Sequence, residues 1–268
     1  MSSRRLLRLA AAGTVAVALC SLAAVSAQAV EPSAKKPKTQ PVTIYLTRHG
    51  ETMLNALERV QGWSDSPLTE DGREVAEQLG AGLAEAGIEF EAAYSADMVR
   101  HWETVSLALD EAGYDGEAVR DGRLREIAFG KYEGGDGLEM WNDIAVELGY
   151  AHAGELFGDP EFDMGVALDA MARLNEGSGL TAETSAEVAG RALAALEDIA
   201  AKQSKKGGEV LVVSSGITIM AALGALGADL SEVVAGIENG AVSELVYRNG
   251  EWTVRTVNDL SYVEAGSD

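Results

Sequence analysis

The sequence predicts an α/β protein built as a three-layer α/β/α sandwich on a mostly parallel sheet. Three observations carry that prediction. Short apolar runs rich in β-branched residues alternate along the chain with longer segments of helical period. Two of those runs end in small polar segments, Arg48-His49-Gly50 and Ser214-Ser215-Gly216, that lead straight into helices, as strands of open parallel sheets do. Near the end, two strand-like runs flank Asn249-Gly250, a pair favoured in tight hairpin turns.

Taken in order, Val42 to Thr47 reads as a buried strand, and Gln61 to Gly72 is rich in turn formers. Val75, Leu79 and Leu83 recur every four residues and place an apolar stripe on a helix. Phe90 to Ser95 is a second strand. Asp97 to Glu111 is a helix expected to turn Val99, Leu107 and Ala108 inward. From Gly134 to Gly179 the rhythm changes: several glycines, two helices (Leu138 to Leu148 and Phe162 to Leu174) and no strand pattern. This stretch reads as an insertion that caps a pocket. Glu183 to Gln203 is an Ala-rich helix, Glu209 to Ser214 a buried strand, and Thr218 to Leu226 the helix after it. The hairpin pairs Ala241 to Arg248 with Trp252 to Asn258.

The first 29 residues are read as a targeting segment outside the fold. Arg4, Arg5 and Arg8 precede an apolar run from Leu9 to Val25, and Ala27-Gln28-Ala29 offers a small-x-small cleavage site. An uncleaved membrane anchor is the alternative, because an apolar run near this length can span a bilayer. Residues 30 to 41 hold three prolines and three lysines and read as a linker, with the domain running from 42 to 260. Cleavage after Ala29 makes the protein secreted or extracytoplasmic, with no membrane contact afterwards. It also removes Cys20, the single cysteine, and with it disulfides, thiolate catalysis and cysteine-ligated zinc. The segment has three arginines and no acid, so its loss takes the formal charge from -22 to -25. Such a chain is a poor partner for nucleic acid, which is bound by clustered Lys and Arg.

Small phosphorylated substrates remain compatible with that charge if the basic groups concentrate in one pocket. In open α/β sheets, ligands sit beyond the carboxyl ends of the strands, where helix N-termini aim N–H groups at anions. Gly50 and Gly216 are expected to let the backbone approach a ligand. The pattern thus suggests an anion site holding His49 and Arg48.

The signal is longer than that triplet. Arg48-His49-Gly50-Glu51-Thr52 is followed by Asn55 and by Arg59-Val60-Gln61-Gly62-Trp63-Ser64-Asp65-Ser66-Pro67-Leu68-Thr69-Glu70-Asp71-Gly72. Further on stand Ser95-Ala96-Asp97-Met98-Val99-Arg100 with Thr104, then Leu124-Arg125-Glu126-Ile127 with Phe129-Gly130 and Glu133-Gly134, then Asn239-Gly240. Together these resemble the histidine phosphatase superfamily in its phosphoglycerate mutase-like branch, over nearly all of Val42 to Asn258. The resemblance implies that fold, with a helical cap insertion at 134–179, and a set of roles. His49 would attack phosphorus and become a phosphohistidine. Arg48 and Arg100 would clamp the non-bridging oxygens. Asn55, Gln61 and Gly62 would add neutral donors. Glu126 would protonate the leaving oxygen and then activate water, with Glu133 as the next candidate. No cofactor and no metal is implied, since the arginines supply the charge.

One position departs from the family. Ser215 stands where relatives carry a second histidine at the end of the later strand. A hydroxyl still donates to a phosphoryl oxygen but without charge, and losing such a donor costs about 3–4 kcal/mol of transition-state stabilisation. A histidine restored at 215 is expected to raise turnover at least tenfold. Three readings follow: a secreted phosphomonoesterase working through a phosphohistidine, a catalytically impaired pseudophosphatase that binds phosphorylated ligands, and a phosphoglycerate mutase. Export argues against the last, whose substrate is intracellular. His101 and His152 are read as bystanders.

Overall fold

A computed structural model of the chain describes residues 39–267, except 232, 234 and 235. The expected targeting segment and most of the linker lie outside the described residues. The sheet has six strands: β1 Val42–Arg48, β2 Phe90–Ser95, β3 Val119–Arg120, β4 Gly208–Ser214, β5 Val242–Arg248 and β6 Glu251–Val254. Their order is β3-β2-β4-β1-β5-β6. The first four are mutually parallel and β5–β6 close the sheet as an antiparallel pair. The fold class expected from the alternating pattern is therefore what forms. The hairpin turns where Asn249 and Gly250 both adopt positive φ, 57° and 92°, which is what a two-residue turn of this kind demands.

Helices cover both faces because the central strands are apolar on both sides. Ile44, Leu46, Val210 and Val212 face a cluster completed by α7 (Ser185–Gln203) and α8 (Gly216–Ala225). The alternate residues Tyr45, Leu211 and Val213 face α2 (Glu70–Glu85) and α3 (Val99–Glu111). Leu79 and Leu83 are fully buried there, worth about 1.5–3 kcal/mol each. Residues 134–179 form three helices, α4 Gly137–Glu147, α5 Ala153–Phe157 and α6 Met164–Leu174, around an apolar cluster of their own. The short α1 (Met53–Ala56) follows β1, and α9 (Ser261–Ala265) packs on α2.

Three expectations need correction. Val99 is 49 % exposed rather than inward. The buried face of α3 is Arg100, His101, Thr104, Val105, Ala108 and Leu109, because its first turn faces a polar site and only its later turns meet the core. The domain does not stop at 260, since the Tyr262 carbonyl lies so close to Gly82 that no side chain fits there. Nor does it begin at 42: Gln40 N–H donates to the Ser204 carbonyl at 2.8 Å.

Candidate active site

Because β1, β2 and β4 are parallel neighbours, their carboxyl ends meet. The register pairs Arg48 with Ser214, so His49 and Ser215 follow side by side where the strands stop, and His49 N–H donates to the Ser214 carbonyl at 3.1 Å. Arg100 and His101 enter from the first turn of α3, and Glu126 from the loop before α4. All but Arg48 are buried, and Arg48 is half-buried.

His49 is held as a neutral imidazole. Its Nδ1 lies 2.8 Å from the Gly50 carbonyl, which only accepts, so Nδ1 carries the proton and Nε2 keeps a lone pair. Burial and then the positive charges of Arg100 and Arg48 hold its pKa well below the usual histidine value, outweighing the Gly50 hydrogen bond. Its loop is pinned twice: the Gly50 N–H donates to Thr104 Oγ1 at 3.0 Å, and Asn239 Nδ2 donates to the His49 carbonyl at 2.7 Å. Gly50 is required not for ligand approach, as expected, but because a Cβ there would strike the Gly72 carbonyl.

The two arginines are partly committed to the protein. Arg48 Nη1 donates to the Ile237 carbonyl at 2.6 Å. Arg100 donates to the carbonyls of Gly62 and Ser64 and pairs with Asp65 at 3.0 Å. Its fork thus ties down the 62–65 loop. In both residues Nε–H is buried without an acceptor among the described residues. An unmet buried donor costs about 1–3 kcal/mol, and two of them flanking a histidine are relieved by an anion.

Glu126 occupies the N-terminus of α8. Its Oε1 accepts from Ile127 N, Thr218 N and Thr218 Oγ1, and its Oε2 from Ile217 N at 3.0 Å. The expected anion at this helix end is therefore the protein's own carboxylate. Oε2, with one donor, is the oxygen left free to exchange a proton on the cavity side. Sequence reasoning missed the residue that sets this loop: Arg191 of α7 donates to the carbonyls of Arg123, Arg125 and Glu126 while held bidentate by Glu183. Its only signal was a basic residue in the middle of an otherwise Ala-rich helix.

Glu133 is not a spare acid. Both oxygens are taken by backbone N–H groups of Gly62, Trp63, Ser64 and Phe129, which makes it a clamp on two loops. This also corrects Gly62 as a substrate donor, since its N–H is spent on Glu133 and its carbonyl on Arg100. Asn55 and Gln61 do line the cavity. Asn55 Oδ1 serves the cap of α1, which leaves its amide N–H2 for a ligand, whereas the Gln61 amide bonds Thr52 and Ser66.

Ser215 brings the largest surprise. Its Oγ lies 2.7 Å from His101 Nε2, and the His101 ring stands edge-on to His49 at 5.2 Å between centroids. His101, expected to be a bystander, is fully buried, and burial followed by the charge of Arg100 holds its pKa well below normal. A neutral ring has one N–H. Because Nδ1 has no partner among the described residues, the proton belongs on Nε2, since an orphaned donor is rarer than an orphaned lone pair. His101 thus donates to Ser215, whose own proton is free to point elsewhere. This packing weighs against the expectation that a histidine at 215 alone raises turnover, because the His101 ring already lies against Ser215. His152, by contrast, caps α5 and has no part in the site.

A neutral imidazole, two arginines and a carboxylate thus converge at the carboxyl edge of a mostly parallel α/β sheet. The model of the histidine phosphatase superfamily (branch 1) matches residues 44–260, and the chain belongs to that family. It is 32% identical over 239 residues to the probable phosphoglycerate mutase GpmB of Shigella dysenteriae serotype 1, covering 83% of this chain and 95% of that one. It is 37% identical over 110 residues to a 2,3-bisphosphoglycerate-dependent phosphoglycerate mutase of Rhizobium etli, where it covers 40% of this chain and only 52% of the relative. The crystal structure of phosphoglycerate mutase from Bacillus anthracis str. Sterne superposes with a TM-score of 0.79 at 36% identity, covering 86% of this chain and 99% of that one. The alpha-ribazole phosphatase from Shigella flexneri shares the fold, with a TM-score of 0.59 at 19% identity over 81% and 96% of the two chains. The same fold is thus found in proteins named as mutases and as phosphatases.

Proposed function

We propose that the protein is an exported phosphomonoesterase that hydrolyses a phosphorylated small molecule through a phosphohistidine on His49. The observation that carries this reading is the pair of unmet buried Nε–H groups of Arg48 and Arg100 beside a neutral, Nδ1-pinned His49. In the first step His49 Nε2 attacks phosphorus, the ester P–O bond breaks, and protonated Glu126 delivers its proton to the leaving oxygen. In the second, Glu126 takes a proton from water, the water oxygen attacks phosphorus, and the P–N bond breaks to release phosphate. The arginine N–H groups bind the equatorial oxygens in both transition states. Ser215, backed by His101, adds a hydroxyl donor where relatives place a second imidazole. Export rests on the Arg4-to-Ala29 segment alone.

The names of the relatives favour a second reading, in which a phosphoglycerate hydroxyl replaces water as the acceptor. Rapid quench with labelled p-nitrophenyl phosphate should trap acid-labile phosphate on the peptide containing His49, and His49→Ala should abolish trapping and turnover. Interconversion of 3- and 2-phosphoglycerate faster than phosphate release would establish the mutase instead. Tight vanadate binding with no turnover between pH 4 and 8 would establish a pseudophosphatase.

A further inference from the structure

The phosphate subsite occupies only one end of a cavity of about 1310 Å³. Arg48, His49, Asn55 and Glu126 line that end, and the remainder runs beneath α4, α6 and α8. Much of its wall there is apolar: Met140, Trp141, Phe162, Met164, Leu168 and Met220 all contribute. Trp141, Phe157 and Phe162 form an edge-to-face chain, with centroids 5.0 and 5.3 Å apart. Edge-to-face contacts of this kind are favourable beyond the area they bury.

The charges on the wall narrow the ligand further. Beyond Arg48, the only cationic side chain among the described lining residues is Arg59, and it lies 3.9 Å from Asp136. Asp159 and Asp163 stand on the same wall. A second carboxylate or phosphate on the leaving group would face two acids and one shared cation, without the bidentate partner such groups require. Hydroxyls on the leaving group could pair with Asp159, Asp163, Ser185 and Ser231, but they would leave the methionine and aromatic side chains of the wall without an apolar partner. The volume also exceeds the roughly 300–1,000 Å³ of ordinary small-molecule pockets.

We infer that the substrate is the phosphate monoester of a bulky, uncharged, apolar alcohol, whose hydrocarbon lies along the wall formed by α4, α6 and α8. This rests on the phosphate-site reading above and names its substrate class. Burial of hydrocarbon stabilises substrate and transition state alike, so chain length acts through KM and kcat/KM rather than kcat.

The test uses n-alkyl phosphates from ethyl to octyl as substrates, and the matching alkylphosphonates as ligands that need no turnover. Both are applied to the mature protein below their micellar concentrations. Each added methylene should raise kcat/KM and phosphonate affinity about two- to fourfold, approaching the upper figure where the chain is fully enclosed. Phe162→Asp and, separately, Met164→Ser should collapse the octyl-to-ethyl ratio at least tenfold in proteins whose melting temperature confirms folding. Phosphonates that bind equally at every chain length overturn the inference and leave the phosphate site intact. So does 3-phosphoglycerate outperforming octyl phosphate. Absence of vanadate and phosphonate binding altogether removes the phosphate-site reading and the inference with it.

Discussion

Exchanging the side chains at positions 101 and 215 tests the most unusual contact in the site. Ser215 and His101 are 1 % and 0 % exposed, and their polar atoms meet at 2.7 Å, so no void lies between them. Ser215→His alone forces a second imidazole into space that the His101 ring fills. Overpacking of this kind costs about 1–3 kcal/mol. For a domain of this size that lowers the melting temperature by something on the order of 2–12 °C. Turnover should fall with it, because the displaced ring leans on His49. Adding His101→Ser vacates the space, and stability should return to within about 1 kcal/mol of the parent. The restored donor at 215 can then carry charge, and a charge-assisted hydrogen bond is roughly twice as strong as a neutral one. Turnover in the double variant should exceed that of Ser215→His by at least tenfold. The assay is a double-mutant cycle on p-nitrophenyl phosphate hydrolysis, with thermal melts of all four proteins and vanadate affinity as an independent reading of the anion site. A Ser215→His protein that melts like the parent and turns over tenfold faster would refute the reasoning, because the His101 ring could not then be where it is placed.

Glu126→Gln should slow alkyl phosphates far more than aryl phosphates, whose leaving oxygens need less protonation; equal losses would give Glu126 only its role at the α8 N-terminus. The same substitution sets an amide N–H2 against the Ile217 N–H, so a drop of about 1–3 kcal/mol in stability should accompany it. Acid should destabilise the protein through its buried histidines. The unfolded chain takes up protons near pH 6.5, while His49 and His101 resist protonation until well below that. Stability is therefore whole above about pH 6.5 and falls beneath it by up to about 1.4 kcal/mol per pH unit for each histidine. Urea unfolding of His101→Gln between pH 4.5 and 6 should show a slope shallower by about that amount, and parallel slopes would mean that His101 titrates normally.

Local pattern determined most of the fold. Strands β1, β2, β4 and β5 announce themselves as β-branched apolar runs, and α2, α4, α6 and α7 as helical stripes, because burial on a sheet or a helix face repeats at a fixed period. The two-residue β3 and the short α1, α5 and α9 were not legible, since so few residues carry no period. His49 and Arg48 were marked as candidates by the strand-to-helix pattern, and Arg100 and Glu126 by the family resemblance of the motifs that hold them. Their hydrogen-bond partners were not, because partners are set by which chain segments meet in space. Glu133 looks like a second acid in sequence and becomes a clamp once two loops fold around its carboxylate. Gly62 looks like a donor until that same clamp consumes its N–H. The absence of a histidine at 215 is visible in the sequence. That the His101 imidazole reaches the same place is not, because those residues are 114 positions apart and only the packing of α3 against the end of β4 brings them within hydrogen-bond distance.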